Sequence, residues 1–524
     1  MLRSKKAIAL SLILALISGI LLAFSFPSWN PAWDGSYLAF IALIPLFFAC
    51  EKQSPKMVFC LGFVSGLFSF AISVSWVTIS MHQYGGLPWS VSAFLMILLS
   101  AYLAIYVGCF IWVVGLSEKH LLVVAPFAWV ALEYLRGQLL TGFPWNALGY
   151  SQYRHLPFIQ IADITSVYGV SALIVFTNVA LFLIIQTAWN QKIIAKMPAV
   201  ALSAVLAGTF LYGYYRLSLP MGIGEPLRVA VVQGNIDQAI KWTPSVRDKT
   251  LETYEKLSFS FSKQADLVIW PEAALPIFFQ NEPLVQQRLV DLTQRGDYAL
   301  LFGSPAFKAE KSGQISLLNS AYLLSPSLTG TPLFQYDKMH LVPFGEYVPL
   351  KTALFFVDKM VTGIGEFIPG NDATVMEMSF DKDGVSAPPI IGTAICFEVI
   401  FPELVRQFVK NGANVMTTIT NDAWFGRSAA PYQHFSMVVF RAIENRVPFA
   451  RSANTGLSGF IDAHGTILQR SDLFVEEARR EDLSRGFRKT VYTVYGDFFA
   501  IGSLIFTFIF IVFVTVTRKM KVNI

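Results

Sequence analysis

The chain has 524 residues, 54% of them hydrophobic and only 14% charged, with 45 Phe, 19 Tyr, 11 Trp and a formal net charge of +5. A soluble protein carries nearer a quarter charged residues, so these figures exclude disorder, a basic nucleic-acid-binding domain and a purely cytosolic enzyme. Four Cys in so long a chain exclude a disulfide scaffold.

A membrane span needs about 20 predominantly apolar residues. The stretches Ala7–Phe24, Ser36–Ala49, Met57–Ser80, Leu87–Leu116, Leu121–Leu140, Ile161–Thr187 and Pro198–Tyr215 are read as spans, the second being short. Arg3, Lys5 and Lys6 ahead of the first resemble a signal-peptide start. No small-residue cleavage site follows and more spans come at once, so a retained helix is expected. From Glu225 to about Lys489 charged and apolar stretches alternate, and a last apolar run, Tyr495–Thr517, comes after. The expected organisation is an N-terminal membrane domain over residues 1–224, an inserted globular domain over 225–489, and a closing membrane helix with its tail over 490–524. That makes an α-helical bundle of about eight membrane helices.

Lys and Arg mark the cytoplasmic side of short loops. Lys52 and Lys56, then Lys119, then Lys192 and Lys196 fall on the same side as Arg3, Lys5, Lys6 and the tail residues Arg518, Lys519 and Lys521, whereas loops 27–35 and 81–86 have no Lys or Arg. Arg136 and Arg154 are the blemish in the pattern. Both termini are therefore expected inside a bacterial inner membrane, with the inserted domain in the periplasm. Cys50, Cys60 and Cys109 lie in or beside spans; Cys396 alone belongs to the exported domain. In an oxidising compartment a lone thiol is either deeply buried or kept for chemistry.

Within the inserted domain, β-rich runs at Arg228–Gln233, Asp266–Trp270, Tyr298–Gly303, Ser320–Ser325, Ile390–Ile395, Asn414–Thr420 and Pro448–Ser452 alternate with helical patterns at Ser245–Lys263, Pro283–Gln294, Pro402–Lys410 and Pro431–Arg446. This predicts an α/β domain, whose strand ends display catalytic groups. Leu267-Val-Ile-Trp-Pro-Glu272 ends in a carboxylate, the run from Tyr336 to Tyr347 presents Lys338 and Glu346, and Ile391-Gly-Thr-Ala-Ile-Cys396 ends in a thiol with Glu398 two residues on. A cysteine nucleophile needs a cation and a base nearby. Taken singly, each has a plainer reading: a turn carboxylate, a surface lysine, a core cysteine.

In combination and in order, Trp270-Pro-Glu272, Lys338 with Val342-Pro-Phe-Gly-Glu-Tyr347, Cys396-Phe-Glu398 and Asn421-Asp-Ala-Trp-Phe-Gly426 resemble the nitrilase (carbon–nitrogen hydrolase) superfamily. With its flanking spans, the chain resembles the membrane-bound branch that N-acylates lipoproteins. Val232-Gln-Gly-Asn-Ile236, Lys241-Trp242 and Gly142-Phe-Pro-Trp-Asn146 add to the likeness, and Phe397 departs from it, since some members carry Tyr after the nucleophile. The resemblance implies a nitrilase-like αββα sandwich set into the helical bundle. It also implies acyl transfer from a phospholipid, typically phosphatidylethanolamine, to the α-amine of a diacylglyceryl-cysteine on an apolipoprotein.

Carried over residue by residue, Cys396 is the nucleophile, Glu272 the base, and Lys338 with the Phe397 N–H the oxyanion donors. Glu346 positions Lys338, and Glu398 supports the charge balance. Trp242, Trp424, Trp145, Asn146, Tyr347 and Gln233 are expected to bind or gate substrate, as are the apolar loops 354–357 and 361–368. Trp242 and Trp145 also have plain readings, as a core residue and an interfacial aromatic. The six His show no metal spacing, and no nucleotide-binding glycine pattern occurs, so no cofactor is expected. The expected partners are the phospholipid donor, the diacylated apolipoprotein and the bilayer, for a monomeric enzyme. One rival reading stays open, a membrane-tethered amidase or nitrilase acting on an exported substrate; a transporter using Glu133 or Asp163 is disfavoured because both lie near the ends of their spans.

Overall fold

The computed structural model describes residues 5–30, 32–222, 225–309, 315–326, 334–348, 367–378, 388–486 and 488–522. The apolar loop 354–357 and residues 361–366 of the second apolar loop lie outside them.

Among the described residues, six helices are long and apolar enough to cross a membrane: Lys5–Phe24, Pro55–Ser73, Trp89–Val114, Ala162–Gln191, Lys196–Leu217 and Phe498–Met520. Small residues set the packing of the first three. A Cβ on Gly19 would sit 2.3 Å from the Ser65 carbonyl oxygen, and one on Gly62 2.8 Å from the Val107 carbonyl oxygen, so these helices meet backbone to backbone, as membrane helices with small residues do. Two expected spans differ. Ser36–Ala49 forms a 3-10 turn, Ser36–Phe40, and a seven-residue helix, Ile44–Cys50. Pro45 opens that helix, and Gly35 ahead of the turn packs against the Phe24 carbonyl. The fifth stretch is an 18-residue helix, Leu121–Gln138, containing Pro126 and the buried Glu133 and Arg136.

The globular part is two six-stranded sheets. One has the order β12-β1-β2-β3-β4-β5 and the other β11-β10-β9-β8-β7-β6. The strands are β1 (Leu227–Gln233), β2 (Leu267–Ile269), β3 (Ala299–Ala309), β4 (Ile315–Leu324), β5 (Phe334–Asp337), β6 (Val375–Glu377), β7 (Ile390–Ile395), β8 (Val415–Thr420), β9 (Phe449–Ala453), β10 (Gly459–Ile461), β11 (Ile467–Arg470) and β12 (Glu477–Leu483). Alternation sorts their side chains. Val229 and Val231 of β1 join Leu267, Ile269, Ile391 and Ile395 in the core between the sheets. Ala230 and Val232 turn the other way, with Val268 and Leu300, onto Leu251, Tyr254 and Leu289 of the helices Pro244–Phe259 and Pro283–Gly296. The helices Pro402–Lys410 and Ala430–Asn445 complete the other side, giving an αββα sandwich beside the helical bundle. Two apolar cores made by one period-2 pattern explain why the strands read as continuous apolar runs.

Buried charges join the two parts. The helix Ala162–Gln191 breaks at Ser166 (φ 58°), and the Glu444 carboxylate accepts from Ser166 Oγ (2.6 Å) and the Val167 N–H (3.0 Å), capping the restarted helix. Arg441 pairs with Glu444 at 3.0 Å and donates to Tyr150 OH at 2.8 Å. Arg446 pairs with Asp163 at 2.8 Å, which also meets Arg216 at 2.8 Å. Asp163 is thus held by cations, and Glu133 accepts the Leu148 N–H at 2.6 Å, so both acids are engaged in structural contacts.

Candidate active site

The site forms at the carboxyl ends of strands from both sheets: β2 leads to Glu272, β5 to Lys338, β7 to Cys396 and β8 to Asn421. Trp270 anchors the first turn by donating from Nε1 to Ser258 Oγ at 2.7 Å and stacking on Tyr254, with ring centroids 5.1 Å apart. Gly303 lets β3 approach closely. A Cβ there would lie 2.6 Å from the Ala273 nitrogen and 2.8 Å from Glu272 Cα.

Glu272 is 7% exposed. Its Oε1 accepts from Lys338 Nζ at 3.3 Å and Asn319 Nδ2 at 2.8 Å, and its Oε2 from the Asn421 N–H at 3.0 Å. Lys338, buried, also donates to Glu346 Oε1 at 2.9 Å. Glu346 is fixed in turn by the Val342 N–H at 2.7 Å and by Asn319 Nδ2 at 2.9 Å. Burial opposes the charge on Lys338, but Glu346 and Glu272 outweigh it and hold its pKa above the ordinary lysine value. The two amide hydrogens of Asn319 keep two carboxylates aimed at one ammonium.

Cys396 is buried and starts the 3-10 turn Cys396–Ile400 with φ at 53°, a left-handed conformation that costs a non-glycine residue on the order of 1–3 kcal/mol. Glu398 over-determines it. Its Oε2 accepts the Ile395 N–H at 2.7 Å, while Oε1 accepts Tyr336 OH at 2.7 Å and the N–H groups of Met339 at 2.7 Å and His340 at 3.1 Å. One carboxylate therefore staples the thiol's turn to the turn that carries Lys338. Burial pushes Glu398 up to about 7 against the pull of these donors. Burial also pushes the Cys396 thiol up, reinforced by the charge of Glu272 and opposed by Lys338. The resting sulfur is a thiol within the electrostatic reach of a carboxylate and an ammonium, an arrangement suited to attack on a carbonyl with the proton taken by the carboxylate.

The other expected residues divide. Trp242 is 53% exposed and follows Lys241, which is fully buried and donates to the Glu272 carbonyl oxygen at 3.3 Å. Burial lowers Lys241 to about 8, with Glu272 pulling the other way. Trp424 is 41% exposed against Tyr84, ring centroids 5.3 Å apart. Trp145 is fully buried where the membrane half meets the sandwich, 4.8 Å from Trp76, 5.9 Å from Phe425 and 5.5 Å from His434 between ring centroids. Asn146 is buried with φ at 55°, its carbonyl accepting from Arg136 at 3.4 Å. The Tyr347 carbonyl accepts the Phe344 N–H at 2.8 Å in the turn that presents Glu346. The Phe397 ring packs edge-on to Phe401, centroids 5.3 Å apart.

Gln233 has its side-chain amide bonded within the sandwich. Its Oε1 accepts from Ser458 (2.6 Å) and Ser471 (2.9 Å), and its Nε2 donates to the carbonyls of Asp472 (2.8 Å) and Val475 (3.1 Å). All four amide positions are filled, so it braces the sandwich. Asn319 is the residue that pattern reading passes over, because an Asn within an apolar strand carries no periodic signal. Among the described residues no cluster of three or more His, Cys, Asp or Glu could hold a metal ion.

Comparison with known proteins agrees along the chain. Residues 18–180 match the apolipoprotein N-acyltransferase N-terminal domain, and residues 228–486 match the carbon-nitrogen hydrolase family. The apolipoprotein N-acyltransferase of Geobacter metallireducens is 46% identical over 93% of this chain and 92% of its own. That of Haemophilus influenzae is 32% identical over 97% of this chain and 96% of its own. Among solved structures, a mutant Nesterenkonia amidase from the nitrilase superfamily is similar at 19% identity, with a TM-score of 0.36, over 51% of this chain and 93% of its own.

Proposed function

The chain belongs to the apolipoprotein N-acyltransferase family, and from that membership we propose that it moves an acyl chain from a phospholipid, by way of a Cys396 thioester, to the α-amine of an apolipoprotein's N-terminal diacylglyceryl-cysteine. The observation that carries the reading is the Glu272–Lys338–Glu346 cluster, whose Glu272 and Lys338 charges act on the buried Cys396 thiol. The Cys396 sulfur attacks the ester carbonyl of phosphatidylethanolamine while Glu272 takes its proton. Lys338 and the Phe397 N–H, at the open amino end of the 3-10 turn, stabilise the tetrahedral oxyanion. The carbon–oxygen bond breaks, and the departing alkoxide takes the proton from Glu272 to leave as lysophospholipid. The lipoprotein's neutral α-amine then attacks the thioester, Glu272 accepts the amine's proton, and the thiolate leaves and is reprotonated. Glu346 and Asn319 hold Lys338 and Glu272 in register throughout.

Lys and Arg on one side of the short loops support an orientation with both termini cytoplasmic and the sandwich on the periplasmic side of a bacterial inner membrane. Buried walls support lifetime: a thioester kept from water waits for an amine. The test uses purified protein in detergent with phosphatidylethanolamine and a diacylated lipopeptide. Mass spectrometry is expected to find an acyl adduct on Cys396 that the lipopeptide discharges as amide. Cys396→Ala is expected to form none, and Glu272→Ala or Lys338→Ala to lose at least about 10²-fold in rate. Free fatty acid as the main product with lipopeptide present would make the protein a hydrolase instead.

A further inference from the structure

His434, on the helix Ala430–Asn445, is fully buried and has no part in the steps above. Its Nε2 lies 3.2 Å from the backbone carbonyl oxygen of Cys396, so it meets the nucleophile through the main chain. Its Nδ1 lies 3.0 Å from Arg451 Nη2 and 3.2 Å from Asp422 Oδ1. The arginine and the carbonyl set the tautomer against Asp422, whose Oδ1 favours a proton on Nδ1 but already accepts the Thr420 hydroxyl at 2.9 Å. A guanidinium only donates, and Arg451 Nη2 gives one hydrogen to Asp422 Oδ2 at 2.8 Å, leaving the other for a lone pair on Nδ1. The ring proton then sits on Nε2 and donates to the Cys396 carbonyl. The opposite tautomer would set the Nε2 lone pair against carbonyl lone pairs. Burial and the charge of Arg451 lower the His434 pKa and keep the ring neutral.

The Cys396 C=O and the Phe397 N–H are two ends of one planar trans peptide. Fixing the carbonyl on His434 fixes the opposite direction of that N–H. The flanking residue is the one with a strained φ of 53°, where a peptide plane most needs a restraint. From the other side the ring stacks on Trp145, centroids 5.5 Å apart and planes inclined by 29°, and Trp145 Nε1 donates to the neighbouring Gln433 Oε1 at 2.8 Å. The loop bearing Trp145 belongs to the membrane-embedded half, so that half buttresses the ring that holds the peptide.

We propose that His434 is a positioning residue which, by donating from Nε2 to the Cys396 carbonyl, aims the Phe397 N–H at the oxyanion, with Arg451 setting its tautomer and Trp145 its ring plane. This rests on the reading of the Phe397 N–H as an oxyanion donor. It separates two reactions of the same sulfur: acylation by an ester passes through an oxyanion, whereas alkylation by iodoacetamide does not.

The full-length protein in detergent is assayed for single-turnover acylation of Cys396 by phosphatidylethanolamine and for alkylation of Cys396 by iodoacetamide. His434→Phe keeps a ring and removes the donor. His434→Gln places an amide nitrogen near the Nε2 position, and His434→Asn near Nδ1. His434→Phe and His434→Asn are expected to slow acylation by about tenfold to a hundredfold, with alkylation within about threefold of wild type and phospholipid KM little changed. His434→Gln is expected to recover at least about tenfold of the acylation lost in His434→Asn. Acylation and alkylation falling together would overturn the proposal, as would equal acylation by the Gln and Asn variants. If the Phe variant does not fold, the Gln/Asn pair decides alone. No acyl adduct on the wild-type Cys396 would sink the reading beneath it, whereas an adduct formed equally fast by the wild type and the variants sinks this inference only.

Discussion

A buried thiol faced by a carboxylate is a weak resting nucleophile, and Cys396 occupies that position: burial and Glu272 both favour the protonated sulfur, with Lys338 pulling the other way. Its alkylation by iodoacetamide is therefore expected to climb with pH beyond the ordinary thiol midpoint near 8.5, without levelling off below about pH 9. The charges give the neighbours opposite signs. Glu272→Gln removes a negative charge, lowers the thiol pKa and is expected to raise alkylation at pH 8 by about threefold or more, while acyl transfer falls for want of a base. Lys338→Met removes the favourable charge and is expected to slow both reactions. Alkylation slowing in both variants would mean that the thiol does not feel Glu272 as a charge.

At the scale of elements, the site depends on turns held at fixed offsets from strands, and Glu398 shows how. Its four acceptor contacts join the end of β7 to the turn after β5. Glu398→Gln would point an NH2 at groups that are themselves donors, which strands at least one buried donor and costs about 1–3 kcal/mol. A lower melting temperature together with slower acylation is the expected outcome, and an unchanged melt would count against the staple. The same logic explains what sequence reading reached. β1 to β4 and β7 to β9 are legible because apolar residues on both faces make continuous runs, and Glu272 and Cys396 follow because they sit just beyond the ends of such runs; Lys338 follows the short β5 and is legible only through the family motif it shares with Val342-Pro-Phe-Gly-Glu-Tyr347. β5, β6 and β10 have only three or four residues, and β12, with Glu477, Arg479, Arg480, Glu481 and Asp482, is a charged edge strand. Periodicity misses both kinds here, whereas the equally short β2 is found because Trp270 continues its apolar run. Asn319 stays hidden for a related reason: it acts through partners far off in the chain, Glu272 and Glu346. Ser36–Cys50 is apolar enough to suggest a span, but length and composition do not register the 3-10 turn that divides it.

For the whole molecule, the question is how a sandwich rich in polar contacts stays fixed to an apolar bundle. Part of the answer is buried charge, set into an apolar core that both parts share. Asp163 lies at the start of a membrane helix and is 3% exposed; it meets Arg446 of the sandwich at 2.8 Å, Arg216 at 2.8 Å and Tyr212 OH at 2.8 Å. Arg446 also donates to Gln160 Oε1 at 2.6 Å. Removing the shared anion leaves two guanidinium groups facing each other without compensation, so Asp163→Asn is expected to cost about 3–5 kcal/mol. Arg446→Met leaves Asp163 still paired with Arg216 and is expected to cost less, about 1–3 kcal/mol. Because both changes act on one contact, the double variant should be less destabilised than the sum of the singles by at least about 1 kcal/mol. Thermal unfolding in detergent, followed by tryptophan fluorescence, measures all three. Neither residue touches Glu272, Lys338 or Cys396, so acyl transfer by the folded fraction at 25 °C is expected to stay within about twofold of wild type. Additive losses would show that Arg446 and Asp163 stabilise their own halves separately, and the joint would then have to lie with Glu444 and its cap on the helix that restarts at Ser166.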